Sequence, residues 1–257
     1  DHLVGSQTFL SAKKHLINTI ENECDFEFPC LAQNKINLHK DKDLIDKNFL
    51  CTNQELKKRN LTFDRVDIES YKQMIKKYNP STITVPMIPN LDSYNVWLDE
   101  TVLQVVENCM GFTPHMVEAY SRRNFPSKFA IMNHNWHRDT NHKDFLLKAF
   151  IFFTDCDLNT GAHHYISGSV HNKNFTNQTY YNDHEIEKIW PLSSKERIVS
   201  VVPAGTIIIE DTRGLHKAGI PKKMFRDLGY VVFMPPNFLK KNKRLYKIPS
   251  FIHSELN

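Results

Sequence analysis

Apolar positions change rhythm near the middle of the chain. In the first half they recur at helical spacing. Phe9, Leu10, Leu16, Ile17 and Ile20 predict a helix over 9–20. Residues 64–78 read as a short amphipathic helix with a lysine-rich end. The clearest helix spans 93–109, with Tyr94, Leu98, Val102, Val105 and Cys109 on one face and Gly111 as its stop. The second half changes to short β-type runs bounded by turn residues: 116–120, 146–153, 164–166, 198–202, 206–209 and 228–234.

Short strands at regular spacing, punctuated by Gly and Pro, predict a sandwich or barrel. A length of 257 residues suits one such domain with helical decoration. The expected organisation over 1–257 is a single domain. Residues 1–112 form a mostly helical scaffold, 113–237 the β core and 238–257 a basic tail. Residues 171–192, rich in Asn, His and Tyr, interrupt the strand rhythm. A loop of that length in a compact domain is usually functional, and a substrate lid is expected there.

Composition narrows the partners. Hydrophobic content of 40% with 24% charged residues is that of a soluble globular chain. A net charge of +4 is too mild to argue for nucleic acid. No apolar run approaches the roughly 20 residues of a membrane span, so no membrane partner is expected. Lys240, Lys241, Lys243, Arg244 and Lys247 read as a solvated tail, with an anion- or partner-docking patch as the other reading. The five cysteines (Cys24, Cys30, Cys51, Cys109, Cys156) are odd in number and form no Cys-x-x-Cys pair. Reduced thiols in a cytoplasm fit this better than disulfides or zinc. The N-terminus also lacks the pattern of a signal peptide.

His-x-Asp triplets occur three times, at His39/Asp41, His137/Asp139 and His142/Asp144. With 13 histidines in the chain, about one is expected by chance, so the triplet alone decides nothing. On an extended segment, residues i and i+2 share a face and can converge on one metal. A third ligand must come from a neighbouring strand, and His216 follows the apolar run at 206–209. Two His and one carboxylate make the ligand set of mononuclear non-haem Fe(II) oxygenases. Arg226 follows ten residues later, with Gly219 and Pro221 between. That spacing predicts a hairpin with His216 and Arg226 as cross-strand partners. A guanidinium beside the iron suits a carboxylate, here the far end of 2-oxoglutarate chelating iron through its keto acid end.

Several pieces in order carry a family resemblance. They are Trp136-His137-Arg138-Asp139, Thr154-Asp155, Asp157 to Gly161, Ile166 to Ser169, Pro203 to Thr206, His216 and Arg226. Over about 130–235 the chain resembles the phytanoyl-CoA dioxygenase family of Fe(II)/2-oxoglutarate oxygenases. The resemblance implies a mainly β fold with flanking helices: a double-stranded β-helix, or jelly roll, of cupin-like form. It implies Fe(II), O₂ and 2-oxoglutarate, with His137, Asp139 and His216 as metal ligands and catalytic centre. Expected co-substrate contacts are Arg226, Thr154 and Asn133. Arg122, Arg123, Trp136, Lys148, His163, His164 and His171 are further pocket candidates. Ala218 stands where family members often carry a Ser or Thr that helps hold 2-oxoglutarate, and Thr154 is one candidate to compensate. The implied reaction is hydroxylation, or another oxidation, of an unactivated C–H bond in a small-molecule metabolite, releasing succinate and CO₂. Asp139 argues against halogenation, since related halogenases carry Ala or Gly there. Two alternatives remain at this point. One is a hydroxylase of acyl-CoA or carrier-bound substrates within the same family. The other is a jelly-roll binding or epimerase module without redox chemistry.

Overall fold

The computed structural model describes residues 5–18, 27–31, 80–86, 91–126, 132–139, 145–176 and 180–236. The predicted helix at 64–78, the pair His142/Asp144 and the basic tail lie outside them. The described helices are α1 (Ser6–Asn18), α2 (Leu91–Leu98), α3 (Glu100–Met110) and α4 (Asp183–Glu187). The first three strands are β1 (Glu27–Leu31), β2 (Pro80–Pro86) and β3 (His115–Asn124). The next three are β4 (Leu147–Phe152), β5 (His163–Ile166) and β6 (Arg197–Ser200). The last three are β7 (Ile207–Glu210), β8 (His216–Ala218) and β9 (Arg226–Met234).

The strands form two antiparallel sheets. One has six strands in the order β1-β2-β3-β9-β4-β7, and the other three in the order β6-β5-β8. Every residue of β9 is buried, because both faces of that strand are covered. Odd positions face the helices: Val231 and Phe233 pack with Ala149 and Ile151 of β4, Leu16 of α1, Trp97 of α2 and Val106 of α3. At Gly229 a Cβ would stand 3.1 Å from both Trp97 and Ile151, so a bare backbone lets the indole approach. Even positions face the other way: Leu228, Tyr230 and Val232 pack with Phe152, Cys156 and Ala162. The period-2 alternation of a strand thus gives the helices one face and the interior the other.

Three sequence expectations are corrected. The helix over 93–109 is two helices, because the Asp99 side chain accepts from the backbone N–H groups of Thr101 and Val102 and starts α3 anew. The buried face becomes Val102, Val106 and Met110, while Val105 is exposed. The first half, read as mostly helical, also contributes β1 and β2 to the six-stranded sheet. Finally, the described part of 171–192 includes a helix and buried side chains. Tyr181, Ile186 and Trp190 are buried with Trp136, Ile166 and Leu215, and a capping box between Asn182 and Glu185 starts α4. Among the described residues no helix is long and apolar enough to cross a membrane.

Candidate active site

Backbone pairing brings the sequence-distant residues together. His137 and His216 exchange two N–H···O bonds of 3.0 Å, and the Asp139 N–H donates to Thr212 O at 3.0 Å. Alternation along 137–139 turns His137 and Asp139 to one side and Arg138 to the other. The Arg138 guanidinium donates to the carbonyls of Ser169, Phe175 and Arg213, fastening the loops behind the segment. On the inner side, His137 Nε2 lies 3.8 Å from Asp139 Oδ1 and His216 Nε2 lies 3.6 Å from Asp139 Oδ2. The three potential ligand atoms lie within 4.8 Å of one another. His137 Nδ1 is 2.9 Å from Asn135 O, and His216 Nδ1 is 3.0 Å from Gly214 O. A carbonyl partner assigns the proton to Nδ1 in each ring, which leaves both Nε2 lone pairs directed at the cluster.

The electrostatics suit a cation. Burial pushes the His137 pKa down to about 3, with His216 adding to it. Burial likewise lowers His216, against the pull of Asp139 and Glu210. Both imidazoles are neutral at physiological pH, the form that binds metal. Burial alone would raise Asp139, but Lys148, His216 and His137 hold it well below the ordinary carboxylate range. Lys148 Nζ lies 2.7 Å from Asp139 Oδ2. Behind the cluster, His163 Nε2 meets Glu210 at 2.9 Å and joins the two sheets.

The cluster opens into a cavity of about 250 Å³ lined by both sheets. Phe150, Phe152, Leu228 and Tyr230 form its apolar wall on the six-stranded sheet. Thr82, Asn124 and Arg226 form a polar row across β2, β3 and β9, each in register with the next. All three are buried, at 3%, 1% and 2% exposure. Thr82 Oγ1, Asn124 Nδ2, and Arg226 Nε and Nη1 have no hydrogen-bond partner among the described residues. Arg226 Nη2 reaches Asn124 Oδ1 at 3.4 Å. Burial lowers the Arg226 pKa to about 10. A buried guanidinium and two neighbouring polar groups left without partners are costly unless a ligand satisfies them.

The structure brings together His137, Asp139, His216, Asn133 and Arg226 around this cavity, with Lys148, His163 and Arg122. It corrects the expected hairpin. His216 pairs with Tyr165 of β5, whereas Arg226 pairs with Asn124 of β3, so the two stand in different sheets. Residues 219–225 cross between sheets instead of turning back within one. Thr154 is not among the lining residues; its hydroxyl accepts from the Asp227 N–H at 3.1 Å. Arg123 faces the other way and forms a buried ion pair with Asp227 at 2.8 Å. Trp136 is buried and donates to Asp183 Oδ1 at 2.7 Å. Sequence reasoning missed Thr82 and Asn124. The β-type run at 80–86 and the alternation of Arg122 with Asn124 were the available signals.

A family model described as Phytanoyl-CoA dioxygenase (PhyH) matches residues 53–220, about two thirds of the chain. No curated protein matches the sequence. Among solved structures, the chain is similar to the non-haem α-ketoglutarate-dependent epimerase SnoN from nogalamycin biosynthesis. The identity is 16% over 61% of this chain and 62% of that one, with a TM-score of 0.47. It is similar to HygX from Streptomyces hygroscopicus with nickel and 2-oxoglutarate bound, at 16% identity over 65% and 78% of the two chains, TM-score 0.45. The carbocyclase SnoK of nogalamycin biosynthesis matches at 18% identity over 69% and 80%, TM-score 0.47. The match thus spans less than two thirds of SnoN.

Proposed function

Because the chain belongs to the phytanoyl-CoA dioxygenase family of non-haem Fe(II)/2-oxoglutarate-dependent enzymes, we propose that it oxidises an unactivated C–H bond of a small-molecule metabolite, most simply by hydroxylation. In this reading the two sheets are the walls of a double-stranded β-helix. The observation that carries it is the facing of two buried groups across one cavity. One is the His137/Asp139/His216 cluster, and the other is the Arg226 guanidinium with its unpartnered N–H groups.

The donor set fits Fe(II): two neutral imidazole Nε2 atoms and one carboxylate, with room left on the cavity side. When bound, the iron with 2-oxoglutarate and O₂ supplies the oxidising power and releases succinate and CO₂. The chain's residues position and shield. Asn135 O and Gly214 O fix the two imidazole rings. Lys148 holds the Asp139 carboxylate ionised. Arg226 receives the far carboxylate of 2-oxoglutarate, flanked by Asn124 and Thr82. Thr82 supplies, from the opposite sheet, the hydroxyl that Ala218 lacks. The apolar wall excludes water from the reacting face. An intact carboxylate at Asp139 favours oxygen insertion or hydrogen removal over halogenation. The free thiols of Cys109 and Cys156 suit a reducing, cytoplasmic setting.

The test is anaerobic addition of Fe(II) and 2-oxoglutarate to the folded protein. A weak visible charge-transfer band is expected. Its absence, with folding verified, sinks the proposal.

A further inference from the structure

Among the described residues, those lining the cavity include three cations, Arg122, Lys148 and Arg226, but one carboxylate, Asp139. Two of the cations have assignments in the reading above. Lys148 is paired with Asp139 at 2.7 Å. Arg226 lies beside Asn124 and would take the far carboxylate of 2-oxoglutarate, with the near one left to the metal that His137, Asp139 and His216 would hold. That dianion is then fully matched, and Arg122 is left over.

Among the described residues, Arg122 is held in place without being neutralised. Its Nη2 donates to Tyr230 Oη at 3.1 Å, and its guanidinium carbon lies 4.9 Å from the centre of the Tyr230 ring. Both contacts are to an uncharged group, and both fix the plane of the guanidinium. Its Nε is buried and has no partner among the described residues. In register, Arg122 faces Leu228, one inward-facing step along β9 from Arg226 towards Tyr230. It therefore sits beside the apolar wall of Phe150, Phe152 and Leu228 and not in the polar row of Thr82, Asn124 and Arg226. Two guanidiniums this close raise each other's cost in a buried site, and Arg122 contributes to depressing Arg226. A second anion relieves that cost.

We infer that the substrate oxidised here is an apolar molecule bearing one carboxylate, and that Arg122 selects it by receiving that carboxylate while the body packs on Phe150, Phe152 and Leu228. This rests on the functional reading above. One guanidinium matches one monoanion, and its planar edge suits a carboxylate. A thioester of the same acid offers no charge at this position, so the inference favours a free acid over an acyl-CoA.

The experiment is calorimetric titration of the anaerobic Fe(II)·2-oxoglutarate protein with matched pairs: phenylacetate and phenylacetamide, hexanoate and hexanamide, cyclohexanecarboxylate and its carboxamide. At least one carboxylate should bind about tenfold or more tightly than its amide. Arg122→Gln should erase that difference and leave 2-oxoglutarate affinity essentially unchanged, and Arg122→Lys should restore part of it. If no carboxylate outbinds its amide, absence of any binding included, the inference is overturned. It is also overturned if Arg122→Gln weakens 2-oxoglutarate as much as Arg226→Gln does, because Arg122 then serves the co-substrate. Failure of the underlying functional reading shows separately, as absence of 2-oxoglutarate binding to the wild-type protein in the same titrations.

Discussion

His216 and Arg226 face one cavity from different sheets, His216 paired with Tyr165 and Arg226 with Asn124. A metal ligand and a guanidinium on opposite walls suit a molecule that chelates at one end and ends in a carboxylate at the other. A hairpin would have set them side by side on one wall.

Arg226→Gln should weaken 2-oxoglutarate binding by about a hundredfold, the scale of losing one partner of a buried charge pair. Arg226→Lys should recover part of the loss, since charge remains but the bidentate fork does not. Calorimetry with the Fe(II)-loaded protein under argon measures both. Unchanged affinity in the Gln variant would remove Arg226 from the co-substrate site.

Thr82 Oγ1 is buried without a partner among the described residues, in register with Asn124. If it serves 2-oxoglutarate, Thr82→Val should raise the KM for that co-substrate by about tenfold or more, the scale of one hydrogen bond to a charged group. Thr82→Ser should stay near wild type. Thermal stability of the Val variant should not fall, because the substitution removes an unsatisfied polar group and keeps the volume. An unchanged KM would show that the hydroxyl has no such role.

The metal ligands were legible because they follow a strand rule: His137 and Asp139 are two apart on an extended segment, and His216 follows an apolar run. The β core was legible for the same reason, and β4, β5 and β9 fall within a few residues of their predicted limits. What failed depended on long-range pairing. Nothing local to 216–226 shows that the chain changes sheets there. Thr82 lies 42 residues from Asn124 in sequence and becomes its neighbour only through the β2–β3 register. Thr154 offers a hydroxyl that could compensate for Ala218, but that hydroxyl accepts from the Asp227 backbone.

Fe(II) under argon should raise the melting temperature, because metal binds the folded cluster and not the unfolded chain. A chelator should reverse the shift. His216→Ala and Asp139→Ala should each abolish both the shift and succinate formation. A variant that keeps wild-type turnover would show that its residue is not a ligand.

His134 bears on acid stability. Burial, followed by the charges of Arg226, Arg122 and Lys217, pushes its pKa down to about 4. The unfolded chain takes up this proton near pH 6.5 and the folded one near pH 4, so the unfolded state binds more protons between those values. Stability from this group is full above pH 6.5 and is lost as pH falls towards 4, by about 3 kcal/mol. Urea denaturation between pH 4 and 8 should show the slope, and His134→Asn should flatten part of it. His164, also pushed down to about 4 by burial, contributes in the same direction. An unaltered slope in the Asn variant would assign the effect elsewhere.

Gly161 fixes the crossing that puts His216 and Arg226 on opposite walls. Its φ is +85°, and a Cβ there would lie 2.4 Å from Gly219 O and 2.7 Å from Pro221 N. The Gly219 N–H donates to Ala162 O at 2.9 Å, so the crossing segment lies directly against the 161–162 backbone. Backbone cannot move aside as a flexible side chain can. Gly161→Ala should therefore cost more than about 2 kcal/mol and weaken 2-oxoglutarate binding by shifting residues 219–221. Gly205 has a similar φ of +89° but nothing within 4 Å of its Cβ position. Gly205→Ala should cost only the left-handed backbone penalty, about 1 kcal/mol, and leave 2-oxoglutarate affinity intact. Melting curves and calorimetry on the two variants separate the effects. Equal losses in both would mean that the contact with Gly219 and Pro221 does not hold the crossing in place.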